Sequence, residues 1–470
     1  MRKQPNQHHW RFGFHFKPDR TLVLVGLVVM IGCAPAPTQV PDAGSEPRFG
    51  PPAERLPLEP LGDTFETSMA AVIDGGGAPT LLWQDSFSGD TLSSEDDGPK
   101  LAVDRNPKLR LQWPAEYPSA SIKDLEWSPD GQTLAVGGTI VARQSQLFHS
   151  PTRLYAANGQ FERELFSEFY TMSGEYSSVS DLAWSPDGRT LAAAGGINFS
   201  ATLFDIKSEQ RKELTDFATS VFQVAWSPSG EWFVLSTGDR DVYLFDAAGE
   251  LQSTVGPARG PLSWHPNGSR LAAVDQLGVL LFNLIEPSGD QPAKLAPQTR
   301  IELPLGENQW AHEARWSPDG SRLAACGFGT GDVWLMDETG QPIANLIGHT
   351  ESVFGLDWSI DNELATSSAD LSIRLWNQDG SPIAELWDES SDNAGIVDKI
   401  RWSPNGDFLA VPSPDHVVRI HTSTGDPVTT LASHQGLITA IAWHPDGQRI
   451  ATADDDEVTL VWQLSSELGE

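Results

Sequence analysis

A five-residue turn recurs eight times between residues 127 and 447, and nothing else in the chain limits its fold so strongly. It reads Trp-Ser-Pro-Asp-Gly from Trp127, Trp184 and Trp316, and Trp-Ser-Pro-Ser-Gly from Trp226. Trp264 opens Trp-His-Pro-Asn-Gly, Trp402 opens Trp-Ser-Pro-Asn-Gly and Trp443 opens Trp-His-Pro-Asp-Gly, while the copy from Trp358 is degenerate, Trp-Ser-Ile-Asp-Asn. Proline presets φ for the first turn position, Asp or Asn bonds the local backbone, and Gly accepts the left-handed conformation. In the degenerate copy Asn362 takes the glycine place. Such a turn joins two strands. The steps between successive copies are 57, 42, 38, 52, 42, 44 and 41 residues, close to the roughly 40–45 residues of one four-stranded sheet in a repeat array.

The flanks agree. An alternating apolar segment precedes each turn, as in Val353-Phe354-Gly355-Leu356-Asp357-Trp358, and a Leu-Ala type run follows it, as in Leu323-Ala324-Ala325. The small residues in these runs let neighbouring sheets come close to a central axis. A third strand (Ile373 to Trp376 in the sixth unit) and a fourth (Pro382 to Leu386) complete the unit. After Trp462 no fourth strand remains, whereas Leu109-Arg110-Leu111-Gln112 precedes the first unit without a partner. The expectation is an all-β, closed β-propeller of eight four-stranded blades, the last completed by this N-terminal strand. Closure removes the open sheet edges that invite aggregation.

These units resemble WD40 repeats over roughly residues 107 to 465. In the sixth, Gly348-His349, the hydroxyls of Thr366-Ser367-Ser368, Asp370 and Trp376 fall at the matching places; in the eighth, His434, Thr452, Asp456 and Trp462 do. The resemblance implies two buried hydrogen-bond chains, His349–Ser368–Asp370–Trp376 and His434–Thr452–Asp456–Trp462. These are structural, because a buried polar network stabilises only when every member is satisfied. It also implies a protein-binding face. In the family the position four residues before the turn tryptophan lines the channel mouth; here that gives Lys123, Phe222, His312, Phe354 and Asp398 among others, with Trp310 beside His312. Phe222, Phe354, His312 and Trp310 form a candidate aromatic anchor.

The N-terminus reads as an address. Arg2, Lys3, Arg11, Lys17 and Arg20 precede the apolar run Thr21 to Gly32, which is too short to span a bilayer but fits an export signal. Met30-Ile31-Gly32-Cys33 resembles the lipobox of bacterial lipoproteins, in which the cysteine becomes a lipidated N-terminus. The expected organisation is an export signal at 1–32, a tether and partly ordered segment at 33–106, and the propeller at 107–470. The tether includes the Pro-rich stretch from Ala34.

Composition bounds the chemistry. With 31 basic against 64 acidic residues and a net charge of −33, phosphate neutralisation is disfavoured and nucleic acid is excluded as a partner. With lipid on Cys33, Cys326 has no disulfide partner and reads as a small buried hydrophobe. No G-x-S-x-G, H-E-x-x-H or C-x-x-C pattern occurs, and the carboxylates of Asp454-Asp455-Asp456-Glu457 suit a solvated loop better than a calcium site. The expected function is an exported, membrane-anchored, non-catalytic and monomeric scaffold, without cofactor or metal. Its partners would be other proteins, with basic segments favoured by charge. The alternatives are a sensor holding a small molecule or glycan in the channel, and a propeller hydrolase.

Overall fold

The computed structural model describes residues 107–112, 120–142, 147–149, 151–165, 169–171, 179–195, 199–387, 399–456 and 458–464. The expected leader, tether and Cys33 lie outside them, as does Asp398. The described residues form eight antiparallel sheets with one inner strand each: Ala120–Trp127, Asp181–Trp184, Val221–Trp226, Arg259–Trp264, Trp310–Trp316, Val353–Trp358, Arg401–Trp402 and Ile438–Trp443. Each inner strand touches the next, and the eighth touches the first, so the ring is closed. We number the blades 1 to 8 in this order.

The repeated turn is the hinge of each blade. Gly131, Gly188, Gly230, Gly268, Gly320, Gly406 and Gly447 all adopt positive φ, and Asn362 takes the same conformation at 63° in the degenerate copy. Asn is a tolerated substitute there because its short polar side chain relieves the cost of the left-handed region.

Blade 8 closes as expected. Leu109–Gln112 pairs with Val458–Gln463 in the register Leu109↔Val461, and the Lys108 N–H donates to the Val461 carbonyl at 2.9 Å. The two long steps have simple causes. Blade 1 carries two extra short strands, Leu147–His149 and Phe169–Thr171, beside the extended Thr133–Ala142. Blade 4 lengthens its outer pair, Gly278–Ile285 and Lys294–Glu302.

Eight apolar clusters fill the eight junctions between neighbouring blades. Between blades 4 and 5, for example, Leu281 and Ile301 pack with Trp316, Leu323 and Trp334. Full burial of one such side chain contributes about 1.5–3 kcal/mol. Ala135, Ala193, Ala273, Ala325 and Ala451 are buried in the second strands, where larger side chains would push neighbouring sheets apart. Cys326 lies fully buried in the cluster between blades 5 and 6. Burial, then the nearby Glu313 carboxylate, pushes its thiol pKa well up, so it is inert packing.

Candidate functional site

An antiparallel blade places three features at one end: the start of its inner strand, the turn between its second and third strands, and the loop from the previous outer strand. The tryptophan turns occupy the other end. The His-centred networks and the aromatic residues of blades 5 and 6 both lie at the first of these ends.

In blade 8 the His434 ring bridges Thr452 Oγ1 at 2.6 Å and Asp454 Oδ2 at 2.8 Å, and Trp462 Nε1 donates to Thr452 Oγ1 at 2.9 Å. The Asp454 carboxylate only accepts, so Nδ1 carries a proton and donates to it; in that tautomer Nε2 accepts the Thr452 hydroxyl proton, while the Thr452 oxygen accepts the indole N–H. All four side chains are satisfied. Burial opposes ionisation of Asp454, but hydrogen bonds from His434 and the Val458 N–H outweigh it and hold the carboxyl below the usual range.

The acid is Asp454, whereas counting six residues back from Trp462 points to Asp456. Asp454 ends its strand two residues after Thr452, on the same face and within reach of the ring; Asp456 lies in the exposed turn beyond. In blade 6 the hydroxyl is likewise Thr366, not Ser368. His349 Nε2 lies 2.8 Å from Thr366 Oγ1, to which Trp376 Nε1 donates at 3.0 Å. Ser368 instead donates to the Glu351 carbonyl and accepts the Asp370 N–H. Asp370 stands 3.3 Å from His349 Nδ1, and Ser372, which the sequence reading missed, bridges the two at 2.9 and 2.7 Å. Burial works against the Asp370 charge, but the His349 and Ser372 bonds prevail and its pKa is strongly depressed.

The inner strands hold a second network. Each is a sheet edge whose outward N–H groups need acceptors, and side chains of the preceding blade supply them. Asp124 accepts the Leu182 N–H at 2.8 Å and Glu126 that of Trp184 at 2.7 Å; Asp181 accepts Val224 N–H at 2.8 Å and Gln223 accepts Leu262 N–H at 2.6 Å. Ser263, Glu313 and Asp357 do the same for Trp316, Leu356 and Trp402. All these acceptors stand one or three residues before a turn tryptophan, the alternation that puts them on one strand face. Arg315 lies between Glu313 at 2.7 Å and Asp357 at 2.9 Å. Burial raises the pKa of Asp124, Glu126 and Asp181; Lys399 and Arg401 counter this at Asp124 and Asp181, while the Asp124 charge adds to it at Glu126 and Asp181. At blades 7 and 8 the equivalent positions hold Lys399, Arg401, Ala440 and Ala442, which offer no acceptor.

The mouth residues divide into separate groups. On blades 5 and 6, Trp310 stacks on Phe328 with centroids 4.0 Å apart, Phe354 meets Phe328 edge-on at 5.9 Å, and His312 meets Phe354 at 5.6 Å. Trp310, His312 and Phe328 are half-buried, whereas Phe354 is 8% exposed. Phe328, absent from the sequence reading, joins the others from the end of a second strand, whose pattern differs from that of the inner strands. Phe222 stands apart on blade 3, 44% exposed. Lys123 lies elsewhere again, where Lys399 Nζ donates to its carbonyl at 2.9 Å. Burial, then the Lys399 charge, lowers the Lys123 pKa, with Asp455 opposing. Among the described residues no group of three His, Cys, Asp or Glu is arranged to hold a metal ion.

Comparison with known proteins gives consistent matches. The profile of the WD domain, G-beta repeat, matches residues 166–205, 208–246, 340–377 and 425–463. Protein hir-1 of Neurospora crassa is 23% identical over 342 residues, 65% of this chain and 30% of its own length. Actin-interacting protein 1 of Drosophila melanogaster is 28% identical over 226 residues, 46% of this chain and 35% of its own. The chain thus spans about a third of these relatives. Among solved structures, Chaetomium thermophilum Sqt1 bound to the N-terminus of the ribosomal protein L10 superposes with a TM-score of 0.59 at 19% identity, covering 73% of this chain and 96% of that one. A chain of a mitotic checkpoint complex covers 82% of this chain and 98% of its own, with a TM-score of 0.50 at 18% identity. Four segments of this chain thus match the WD domain, G-beta repeat, and its described residues close into an eight-bladed β-propeller.

Proposed function

We propose that the protein is a non-catalytic scaffold that binds other proteins at the channel mouth of its propeller, held at a bacterial membrane by lipid on Cys33 after export. The observation that carries the docking surface is the aromatic group of Trp310, Phe328, Phe354 and His312, partly open to solvent at the end of blades 5 and 6. Aromatic anchors of this kind dominate protein interfaces, because they bury much area at low conformational cost. The inner-strand carboxylates are spent on neighbouring N–H groups and on Arg315, which leaves them poorly placed to grip a small molecule. Similar proteins bind proteins by their own descriptions: Sqt1 is bound to a ribosomal protein N-terminus, and another relative is named for interacting with actin.

Export and anchoring rest on the sequence, in the basic leader, the apolar run to Gly32 and the lipobox-like Met30-Ile31-Gly32-Cys33. A monomeric propeller needs no second copy to seal its sheets, because Leu109–Gln112 closes the ring within one chain.

The test is chemical crosslinking on intact cells, comparing the unaltered chain with Trp310→Ala/Phe354→Ala. Reproducible protein neighbours that vanish with the aromatic group support the reading. Neighbours that are absent, or indifferent to the substitutions, overturn it. For the anchor, Cys33→Ser is expected to release the protein from membranes; retention contradicts lipidation.

A further inference from the structure

We propose that the blade 5–blade 6 part of the mouth receives a cationic side chain of its protein partner, an arginine or lysine laid over the Trp310–Phe328 stack. This rests on the scaffold reading and adds the chemistry of what is bound.

The platform is built in advance. Its loops are tied together: the Gly306 N–H donates to Gln309 Oε1 at 2.6 Å, Gln309 Nε2 donates to the Gly329 carbonyl at 2.7 Å, and the Gly329 N–H donates to Ser352 Oγ at 2.8 Å. These bonds fix the segments on either side of Trp310, Phe328 and Phe354. A partner therefore meets ordered rings rather than paying to order them. The face of an aromatic ring carries negative quadrupole density and attracts a cation within about 6 Å, with Trp the strongest.

The exposed charges on the platform's own loops are acidic. Glu307 and Glu351, in the loops that the bonds above join, are exposed, and so is Glu302 at the end of the preceding outer strand. Between residues 301 and 373 the only Lys or Arg residues are Arg315 and Arg322. Arg315 is held by Glu313 and Asp357. Arg322 donates to the carbonyls of Gln378 and Ser321, at the turn end of the blade. Just outside that stretch, Arg300 is paired with Asp275, and Arg374, which lies against Gly348, is paired with Glu385. The sector with Lys123 and Lys399 differs: two of the chain's few lysines lie together there and repel a further cation. Ile347, 63% exposed in the loop after the blade 5 outer strand, adds apolar surface for residues flanking the cation. An uncharged or acidic peptide meets the same rings without the electrostatic gain, and an acidic one is repelled.

The experiment uses the full-length chain and three pools of fluorescein-labelled random octapeptides, with the central residue fixed as arginine, citrulline or glutamate. Citrulline keeps the shape of arginine and removes its charge. The expected result is at least tenfold tighter binding of the arginine pool than of the citrulline pool, the glutamate pool being weakest. Glu307→Lys/Glu351→Lys, both on the surface, should abolish that preference, and raised salt should weaken it. Trp310→Leu, checked for an unchanged melting temperature, should lower arginine-pool binding at least tenfold, while Phe222→Ala leaves it unaltered. Equal binding of the arginine and citrulline pools, an arginine pool indifferent to the charge reversal, or no binding by any pool overturns the proposal. Equal pools together with cellular neighbours that depend on Trp310 sink the cation alone; neighbours indifferent to Trp310 sink the scaffold reading as well.

Discussion

Leu109 stands opposite Val461 in the eighth sheet, so the first described strand of the chain completes the last blade. Beside it Leu111 is 5% exposed and packs with Trp127, Leu134 and Val461 in the cluster that joins blades 8 and 1. Leu111→Ala is expected to cost about 2–4 kcal/mol through lost burial and the cavity left behind. Leu251→Ala, at a position 54% exposed, should change stability by less than about 0.5 kcal/mol. Urea unfolding midpoints compare the two directly.

The buried chain in blade 8 assigns different weights to two neighbouring acids. Asp454→Ala leaves the His434 N–H without its acceptor and is expected to cost about 2–4 kcal/mol. Asp456→Ala, on the exposed turn, should be near neutral. Equal losses at the two sites in thermal unfolding would contradict the assignment.

The carboxylates give opposing pH dependences. Asp370 and Asp454 have depressed native pKa values, so their stabilisation is present above the ordinary carboxylate range near 4 and is lost as pH falls below it. Asp124, Glu126 and Asp181 have raised native values, so their contribution is greatest below the ordinary range and is lost as pH rises through the raised values. Glu126→Gln keeps an oxygen for the Trp184 N–H and removes the desolvated charge. It is expected to stabilise the protein at pH 7.5 by about 1 kcal/mol and to flatten the gain on mild acidification. Melting curves from pH 5 to 8 read both effects.

At both of its junctions blade 8 lacks the side-chain acceptors found elsewhere in the ring. Side-chain acceptors serve inner-strand N–H groups at each junction from blades 1–2 to blades 6–7, whereas Lys399, Arg401, Ala440 and Ala442 provide none at the last two. Native-state hydrogen exchange should therefore show faster opening of Ile438–Trp443 than of Val221–Trp226. The opposite order would mean that apolar packing alone governs the junctions.

The ring was legible because its evidence is local. Each Trp-x-Pro-x-Gly turn announces a hairpin from five adjacent residues, and the unpaired strand at Leu109 could be matched to the gap after Trp462 by counting. What stayed hidden depends on chain segments about forty residues apart. Nothing near Asp181 says that it accepts the Val224 N–H, because the pairing arises only when blade 2 meets blade 3. Asp454 was displaced by Asp456 for a related reason: counting back from Trp462 fixes sequence distance, whereas the His434 ring selects the residue that ends the strand beside Thr452. Phe328 joins the mouth group from the end of a second strand, where spacing from a turn tryptophan along the inner strand does not point.

Site-specific photocrosslinking puts the docking surface to the most direct test. A photoreactive amino acid is placed in turn at Trp310 and at Leu251, the latter exposed on the outer strand of blade 3. The expected result is a discrete protein adduct in intact cells from position 310 and none from position 251. Adducts of equal yield from both, or from position 251 alone, would contradict a partner seated at the channel mouth.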